Sequence, residues 1–307
     1  MRSSTSPFLS ALAAALILAA SSPAAWAQAC CAGASTLTAT QLTSSESSAV
    51  GLRLRVSSLL GSFDAEGGWA SSPARTSEED LGEDLFAVMR LKQRFQVGLV
   101  VPFVETFRAL PGVSDGGGGL GDLQLSGRWD LTTADDSEEW PGVTLLAGVS
   151  APTGRAVESA THPLATDATG LGSATGLAGL QLEKASGHLL FDLLATVVGQ
   201  FNRTANGVTQ AYGADATVAF AAGWAFDSGP GLALVGTFRH QGEATLNGRT
   251  VPGSALSLVT VGLSGGMYVA DSWRLQGSLS TPLPLTDGGF NTPAAPGLQL
   301  SVIRSWM

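Results

Sequence analysis

The sequence predicts an all-β protein, a closed antiparallel transmembrane β-barrel of about 12 strands. Three observations support this prediction. Apolar residues alternate with small or polar residues along many segments, so one face of each strand can meet lipid while the other lines a lumen. The connections between these segments are alternately short and long. The chain also ends on such a strand, residues 297–307, immediately after the aromatic residue Trp306.

The alternation is clearest in residues 122–131. One face carries Leu123, Leu125, Gly127, Trp129 and Leu131. The other face carries Asp122, Gln124, Ser126, Arg128 and Asp130. A helical period of 3.6 residues would mix the two sets, whereas successive side chains of a strand point to opposite faces. The segment therefore predicts a strand with two different faces.

Eleven further segments complete the predicted barrel. They are residues 49–63, 84–92, 94–105, 141–151, 171–183, 188–201, 212–226, 231–241, 256–269, 273–280 and 297–307. Several of them, notably 188–201, are apolar on both faces, so their assignment depends on length and spacing. Pro102 cannot donate to a ladder, and we expect it to mark a bulge near the outer rim.

The lengths of the connections alternate through the whole chain. The long ones are 64–83, which overlaps the acidic loop Ser77–Asp84, and 106–120, 152–170, 202–211, 242–255 and 281–296. The shorter ones are 92–93, 132–140, 184–187, 227–230 and 270–271. Outer-membrane barrels have short periplasmic turns and long external loops, so both termini are expected in the periplasm. The alternative is a soluble β-sandwich or lipocalin-like barrel, which has no reason to keep this alternation.

The N-terminal 27 residues are predicted to be a signal peptide. Arg2 precedes an apolar run, and Ala25-Trp26-Ala27 is a small-x-small cleavage site. We assign residues 28–48 to a flexible N-terminal segment and 49–307 to the barrel. Cys30 and Cys31 are interpreted as a vicinal pair of thiols, with lipidation of Cys30 or metal capture as the alternatives.

Composition restricts the class of partner. Charged residues are 13% of the chain, about half the usual ~25% of soluble domains. The formal net charge of −9 argues against binding to nucleic acid, which requires basic surface. The expected partners are outer-membrane lipid and a small-molecule solute, and the chain is expected to be a monomer.

No motif predicts an enzyme. Residues 116–121 match G-x-G-x-x-G, but they lead into a two-faced strand rather than a helix, so we interpret 112–121 as a glycine-rich external loop. His162, His188 and His240 have no metal-ligand spacing. We predict no catalytic residue, no cofactor and no metal.

The candidate functional residues are the polar side chains on the lumen face. They are Arg53, Arg55, Asp122, Gln124, Arg128, Asp215, Arg239, Arg274 and Gln276. On the lipid side at mid-bilayer each arginine would cost about 2–4 kcal/mol, which predicts their inward orientation. They either pair across the barrel and fill it, or form a constriction that selects solutes by charge. We expect loop 112–121 with Arg53, Arg55, Asp122 and Arg128 to line that constriction.

Aromatic residues are expected near both membrane interfaces. Trp69, Trp140, Trp224, Trp273 and Trp306 lie at or near the ends of predicted strands. Arg304 shares the outward parity of Trp306, but it lies close enough to the chain end to reach the interface, where its cost is ~0–1 kcal/mol.

Three segments resemble one known family. They are GLGDLQL (residues 119–125) followed by Arg128-Trp129, RLKQRFQVGLVVPF (90–103) and GVSAPTGR (148–155). In order and spacing they are similar to the outer-membrane family associated with meta-pathway phenol degradation. The resemblance covers roughly residues 49–175 and implies an exported barrel that handles hydrophobic or aromatic compounds.

The sequence thus predicts an outer-membrane barrel that lets small solutes, including hydrophobic ones, cross passively. The alternative is a closed barrel with a structural or surface-interaction role, in which the long external loops are the functional part.

Overall fold

The computed structural model describes residues 41–64, 67–134, 139–284 and 292–307, and it is all-β. Twelve long antiparallel strands form one sheet, in which each strand pairs with its neighbours in sequence and the first strand pairs with the last. The strands are β1 Ser48–Ser58, β2 Ser77–Lys92, β3 Phe95–Leu110, β4 Leu123–Thr132, β5 Gly142–Ala151, β6 Thr175–Ser186, β7 Leu189–Gln200, β8 Asp215–Ala225, β9 Gly231–Gln241, β10 Leu256–Ala270, β11 Trp273–Leu283 and β12 Gly297–Trp306. The predicted closed barrel is confirmed.

The side chains alternate between the outside and the lumen as predicted. In β7 the side chains of Leu193 and Val197 point outward and are exposed, whereas Asp192, Leu194 and Thr196 point inward and are buried. The outer surface of the closed sheet is therefore an apolar belt suited to hydrocarbon, and a closed ladder leaves no unpaired edge in it. Among the described residues no helix is long and apolar enough to cross a membrane.

Because every second side chain of β7 faces outward, two substitutions on this face are expected to differ greatly in their effect on stability, according to their depth in the membrane. Leu193→Arg, in the middle of β7, is expected to lower the free energy of unfolding by about 2–4 kcal/mol, because the charge would face mid-bilayer. Leu189→Arg lies on the same face at the end of β7 and should cost only about 0–1 kcal/mol. Urea unfolding of both variants refolded into lipid vesicles measures the difference. Equal small losses would mean that this face does not meet hydrocarbon.

The long connections carry further short elements, all on one side of the barrel. Gly61–Phe63, Trp69–Ser71 and Thr292–Ala294 form a three-stranded sheet, and Arg203–Ala205, Val208–Ala211, Thr245–Leu246 and Arg249–Thr250 form a four-stranded one. A single 3-10 turn, Val157–Ser159, lies in the connection from β5 to β6. The opposite side has tight turns such as those after β2, β6 and β10. Since outer-membrane barrels have long external loops and short periplasmic turns, we name the side with the long connections the external end and the side with the tight turns the periplasmic end.

Two segments predicted as loops are strands, and both predictions were wrong for the same reason. The acidic loop Ser77–Asp84 forms the first half of β2, and Val113–Leu120 (here the glycine-rich strand) pairs with the outer half of β3. At 16 residues each, β2 and β3 exceed the ~9–11 residues needed to cross a bilayer, so they continue beyond it as a paired ribbon. The 112–121 segment therefore does not fold into the lumen as a constriction loop.

On the β2 side the pairing of Pro102 with Asp84 is regular, and the register shift in that ladder lies between Arg90 and Lys92. On the other side the register moves by one residue around Pro102, from Val100 opposite Gln124 to Phe103 opposite Leu120, which agrees with the bulge expected there. On its other side β3 changes partner at Pro102, from β4 to the glycine-rich strand. The Pro102 carbonyl accepts a hydrogen bond from the Gly121 N–H at 2.8 Å. In an antiparallel pair the N and the carbonyl of one residue point toward the same neighbouring strand. The position of the missing N–H of Pro102 therefore lies on the side of the glycine-rich strand, and the ladder between β3 and β2 loses no hydrogen bond.

Aromatic side chains surround the periplasmic end. Trp224, Trp273 and Trp306 are exposed on the outer face near that end. The guanidinium of Arg304 lies 5.6 Å from the ring centre of Trp273 and 5.2 Å from that of Trp306. Arg304 is thus held at the interface by two aromatic faces. Trp69 lies at the external end, where it packs against Phe63.

The N-terminal segment is described only from residue 41. Residues 41–47, which the sequence analysis assigned to a flexible stretch, contact the barrel wall from inside, and Leu42 is 2% exposed. The predicted signal peptide and the two cysteines lie outside the described residues.

Candidate functional site in the lumen

A large cavity, with a volume of about 510 Å³, lies inside the barrel in its external half. Its apolar wall consists of inward-facing residues from β3, β6 and β7, namely Val100, Pro102, Val104, Leu177 and Val198. Polar lining comes from Arg55, Asp122, Gln124, Ser126, Ser150 and Thr175. Small-molecule sites are typically concave, mostly apolar and marked by a few polar groups, and this cavity has that character.

Sequence reasoning missed the apolar wall. It expected inward rows to be polar and treated the two-faced apolar segments as weak strand assignments. The missed signal is that Val100, Val104 and Val198 belong to those same segments, 94–105 and 188–201. When both faces of a barrel strand are apolar, one face meets lipid and the other forms an apolar part of the lumen wall.

Arg53 and Arg55 share one carboxylate on the neighbouring strand. Arg55 donates from Nε and Nη2 to the two carboxylate oxygens of Asp84, at 3.0 and 2.8 Å, and Arg53 Nη1 lies 3.6 Å from the same group. The Arg55 guanidinium lies over Gly82, where an added Cβ would be 2.9 Å from Nη2. Arg53 is buried against the ring of Phe86, whereas the Arg55 side chain is 45% exposed toward the cavity.

Arg128 is the centre of a larger polar network in the periplasmic half of the lumen. Its Nε donates to Asp130 Oδ1 at 2.9 Å, and its Nη2 donates to Thr144 Oγ1 and Glu183 Oε2, both at 3.0 Å. Nη1 donates to Gln181, whose Nε2 donates to Asp192 at 2.7 Å. Here paired charges fill the lumen, one of the two arrangements that the sequence left open.

Four other predicted residues lie apart from these groups. Asp215 and Arg239 form an exposed ion pair near the external end, with Arg239 Nε at 2.8 Å from Asp215 Oδ2. Arg274 is buried near the periplasmic end, and its guanidinium lies 5.8 Å from the ring centre of Tyr268. Gln276 faces inward from β11 opposite Gly266. The sequence-predicted residues thus form several groups at different places rather than one ring.

Asp122 and Gln124 both line the large cavity, but Asp122 also anchors an external loop. Its carboxylate accepts hydrogen bonds from the backbone N–H groups of Gly154 at 2.9 Å and Leu171 at 2.8 Å. Both donors belong to residues 152–174, which connect β5 and β6 and which we call the roof loop. Thr169, Gly170 and Leu171 of the roof loop line the cavity.

The roof loop packs against the inward face of the glycine-rich strand. A Cβ added at Gly117 would lie 2.9 Å from both the Asp167 backbone nitrogen and Thr166 Oγ1, so only glycine admits this approach. Asp115, on the same strand, accepts hydrogen bonds from the Leu164 N–H at 3.2 Å and the Thr166 hydroxyl at 3.0 Å. The run of glycines therefore has a packing reason rather than a phosphate-binding one.

Two roof-loop carboxylates have depressed pKa values. Burial would raise the pKa of Asp167, but hydrogen bonds from Thr161, His162 and Arg155 outweigh it and hold the pKa well below its usual range. Burial would also raise the pKa of Asp115, but hydrogen bonds from Leu164, Thr166 and His162 outweigh this effect, so the pKa of Asp115 is lowered as well. Both groups stay ionised at neutral pH and tie the loop in place.

The depressed pKa values predict when acid loosens the roof loop. Since the native pKa values lie below that of an unfolded aspartate, about 3.9, the stabilisation is complete above that pH and is lost as pH falls further. Hydrogen exchange at Thr161 and Leu164, corrected for intrinsic rate, should stay slow from pH 8 to 5 and rise below about pH 4. Asp167→Asn should exchange rapidly already at pH 7. A rise in the exchange rate of these two amides between pH 7 and 5, while the amides of β7 remain protected, would contradict the prediction.

A second, smaller cavity of about 220 Å³ lies along β8 to β11. Its inward-facing lining consists of hydroxyl and small side chains together with Leu258 and Arg239; the other residues are Thr217, Val235, Thr237, Thr260, Gly262, Ser278 and Ser280. In the described part of the chain no three His, Cys, Asp or Glu side chains are grouped to hold a metal ion. The two cavities therefore differ in lining: the first has an apolar wall, and the second mixes hydroxyl groups with apolar side chains.

Comparison with solved structures identifies the same architecture. The COG4313 outer membrane channel from Pseudomonas putida F1 matches with a TM-score of 0.67 at 16% sequence identity, over 87% of this chain and 97% of that one. The translocator domain of the autotransporter NalP from Neisseria meningitidis matches with a TM-score of 0.50 at 10% identity, over 89% and 92% of the two chains. No family model and no curated protein sequence matches the chain.

At these identities the likeness shows the fold, a membrane-spanning barrel of the outer-membrane type. With the apolar outer belt described above, it confirms the predicted location in the bacterial outer membrane.

Proposed function

We propose that this protein is a monomeric, passive outer-membrane channel for small apolar or aromatic solutes, working without catalysis. The observation that carries the proposal is the 510 Å³ cavity inside the barrel, whose wall carries the apolar side chains of Val100, Val104, Leu177 and Val198. A polar solute gains nothing from Val104, Leu177 and Val198, whereas an apolar one loses unfavourable contact with water there.

Two likenesses support the proposal. The Pseudomonas putida protein is described as an outer membrane channel. The three motifs shared with the barrel family of phenol degradation suggest aromatic compounds as the solute class. This relation to phenol degradation is part of the proposal.

The cavity can also select among solutes by its polar groups. Arg55 is oriented by Asp84 and presents an exposed guanidinium to the cavity, and Gln124 and Ser126 line the cavity from β4. An aromatic ring that carries a hydroxyl can pack on the apolar wall and hydrogen bond to these groups. Phenolic solutes should therefore pass better than alkanes of similar size.

Liposome uptake and planar-bilayer conductance test the proposal directly. Vesicles that contain the purified protein should take up phenol or toluene faster than protein-free vesicles, and the excess should exceed that for a sugar of similar size. Ion conductance should be small, because charged side chains occupy much of the lumen. No conductance, together with no protein-dependent uptake, would refute the channel.

The alternative is a closed barrel whose external loops are the functional part. One observation favours it, since residues 41–47 lie across the periplasmic end of the lumen. Replacing Arg53 and Arg128 with neutral residues distinguishes the two candidates. A channel should change its ion selectivity, whereas a closed barrel should change only in stability.

A further inference from the structure

Arg55 is held at one side by Asp84 and presents its other end to the large cavity. In the described part of the chain its side chain donates hydrogen bonds from Nε at 3.0 Å and from Nη2 at 2.8 Å, both to the carboxylate of Asp84. A guanidinium has five N–H donors in a planar fork, and these bonds use only the Nε side of it. The end formed by Nη1 and the second N–H of Nη2 has the geometry that binds another carboxylate through two parallel hydrogen bonds.

The register of the sheet places this guanidinium beside the apolar wall. Gly82 on β2 lies opposite both Arg55 on β1 and Val104 on β3. A Cβ added at Gly82 would lie 2.9 Å from Nη2 and 3.0 Å from Cζ of Arg55, so the guanidinium lies against the bare glycine backbone. The Arg55 side chain therefore extends over β2, and its charged end lies next to the apolar lining that Val104 contributes.

Two arginines share one carboxylate at this wall of the cavity. Arg53 Nη1 lies 3.6 Å from the same Asp84 group that Arg55 binds. The charged residues that line the cavity are Arg55 and Asp122, and the carboxylate of Asp122 accepts hydrogen bonds from two backbone N–H groups of the roof loop. The Arg55 side chain is 45% exposed, so the positive charge that a solute meets in this cavity is that of Arg55.

We propose that the large cavity binds small aromatic carboxylates such as benzoate, with the carboxylate on the Nη1 end of Arg55 and the ring on the apolar wall. This proposal rests on the proposed channel function and names the class of solute. The two halves of such a molecule match two neighbouring parts of the lining, Arg55 on one side and Val104, Leu177 and Val198 on the other. A neutral hydrocarbon uses only the wall, whereas an aromatic carboxylate uses both.

The test is equilibrium binding to the full-length protein, purified in a nonionic detergent, by titration calorimetry at neutral pH. The probes are benzoate and benzyl alcohol, which carry the same ring and differ in the charge of the head group. Arg55→Gln removes the guanidinium, and Gly82→Ala keeps it but displaces it from the backbone. Arg239→Gln is the matched control, because Arg239 also pairs with one carboxylate and its side chain is also 45% exposed, but it lies outside the large cavity.

The parent protein should bind benzoate at least about tenfold more tightly than benzyl alcohol, the effect of roughly one hydrogen bond to a charged group. Arg55→Gln should remove most of that difference, and Gly82→Ala should reduce it. Arg239→Gln should bind both probes as the parent does. Heat-modifiable gel migration establishes that each variant is a folded barrel, and if Arg55→Gln does not fold, the Gly82→Ala protein decides.

Equal affinity of the parent for the two probes would overturn the carboxylate site, as would benzoate binding that neither variant of the site weakens. An equal loss in Arg55→Gln and Arg239→Gln would overturn it too, since it would show a general effect of charge. In each case the channel stands if vesicles with the protein take up toluene. Conversely, benzoate binding that depends on Arg55, without protein-dependent toluene uptake, would refute the channel and keep the site.

Discussion

Replacing Arg128 with methionine is expected to lower the free energy of unfolding by about 3 kcal/mol, the lower end of the range for breaking a buried ion pair. Arg128 donates to Asp130, Thr144, Gln181 and Glu183, and its side chain is 10% exposed. Without it, the carboxylates of Asp130 and Glu183 lose their main hydrogen-bond donor in a confined space. The lower end of the range applies because the lumen admits some water.

Urea unfolding of protein refolded in lipid vesicles measures this loss, with Arg239→Met as the matched control. Arg239 also pairs with one carboxylate, but its side chain is 45% exposed, so its loss should cost less than about 1 kcal/mol. Adding Glu183→Gln to Arg128→Met should recover part of the stability, since it removes one uncompensated charge. Equal losses for the two arginines would show that the Arg128 network is not a stabilising element.

The second large effect is expected on transport. Val198→Asn places an amide in the apolar wall of the large cavity, and protein-dependent uptake of toluene should fall about tenfold, which corresponds to the ~1.5 kcal/mol lost when one valine-sized apolar contact is removed. Leu177→Asn, on the neighbouring strand, should act in the same direction. Uptake of a small sugar should not fall, because a sugar gains little from an apolar wall.

The control for this prediction is the same chemical change in the other cavity. Val235→Asn also faces the lumen but lies among the hydroxyl side chains of the second cavity. It should leave toluene uptake within about twofold of the parent, since the apolar wall is unchanged. If Val198→Asn and Val235→Asn reduced uptake equally, the path of the solute would not run through the apolar cavity.

Most strands could be predicted because the alternation of apolar and small or polar residues directly indicates which side chains face the outside of a barrel. Every second side chain of residues 123–131 and 50–56 must face lipid, whatever lies across the lumen. The outward face of a strand can therefore be assigned without knowing which strands it pairs with. The errors arose where the chain leaves the bilayer. Ser77–Asp84 and the glycine-rich strand have loop-like composition, and they are strands because β3 offers each of them a ladder.

The candidate site was predicted only in part, because lumen contacts join residues far apart in the chain. The inward direction of Arg53, Arg55 and Arg128 followed from the cost of charge in lipid. Which carboxylate each one meets did not, since Arg128 and Glu183 are 55 residues apart and come together only when β4, β5 and β6 pair in register.

The amino-acid pattern by itself determined the barrel, the number of its strands and the outward face of each, because hydrocarbon imposes the same demand on every strand independently. Tertiary structure alone decided how the interior is used: the apolar wall at Val104 and Val198, the roof loop anchored by Asp122, and the placement of residues 41–47 against the inside of the wall, where Arg90 donates to the Thr43 and Glu46 carbonyls. The inside of the barrel has no uniform solvent like the hydrocarbon outside. The contacts of each inward side chain therefore depend on the particular neighbours that closure of the barrel places beside it.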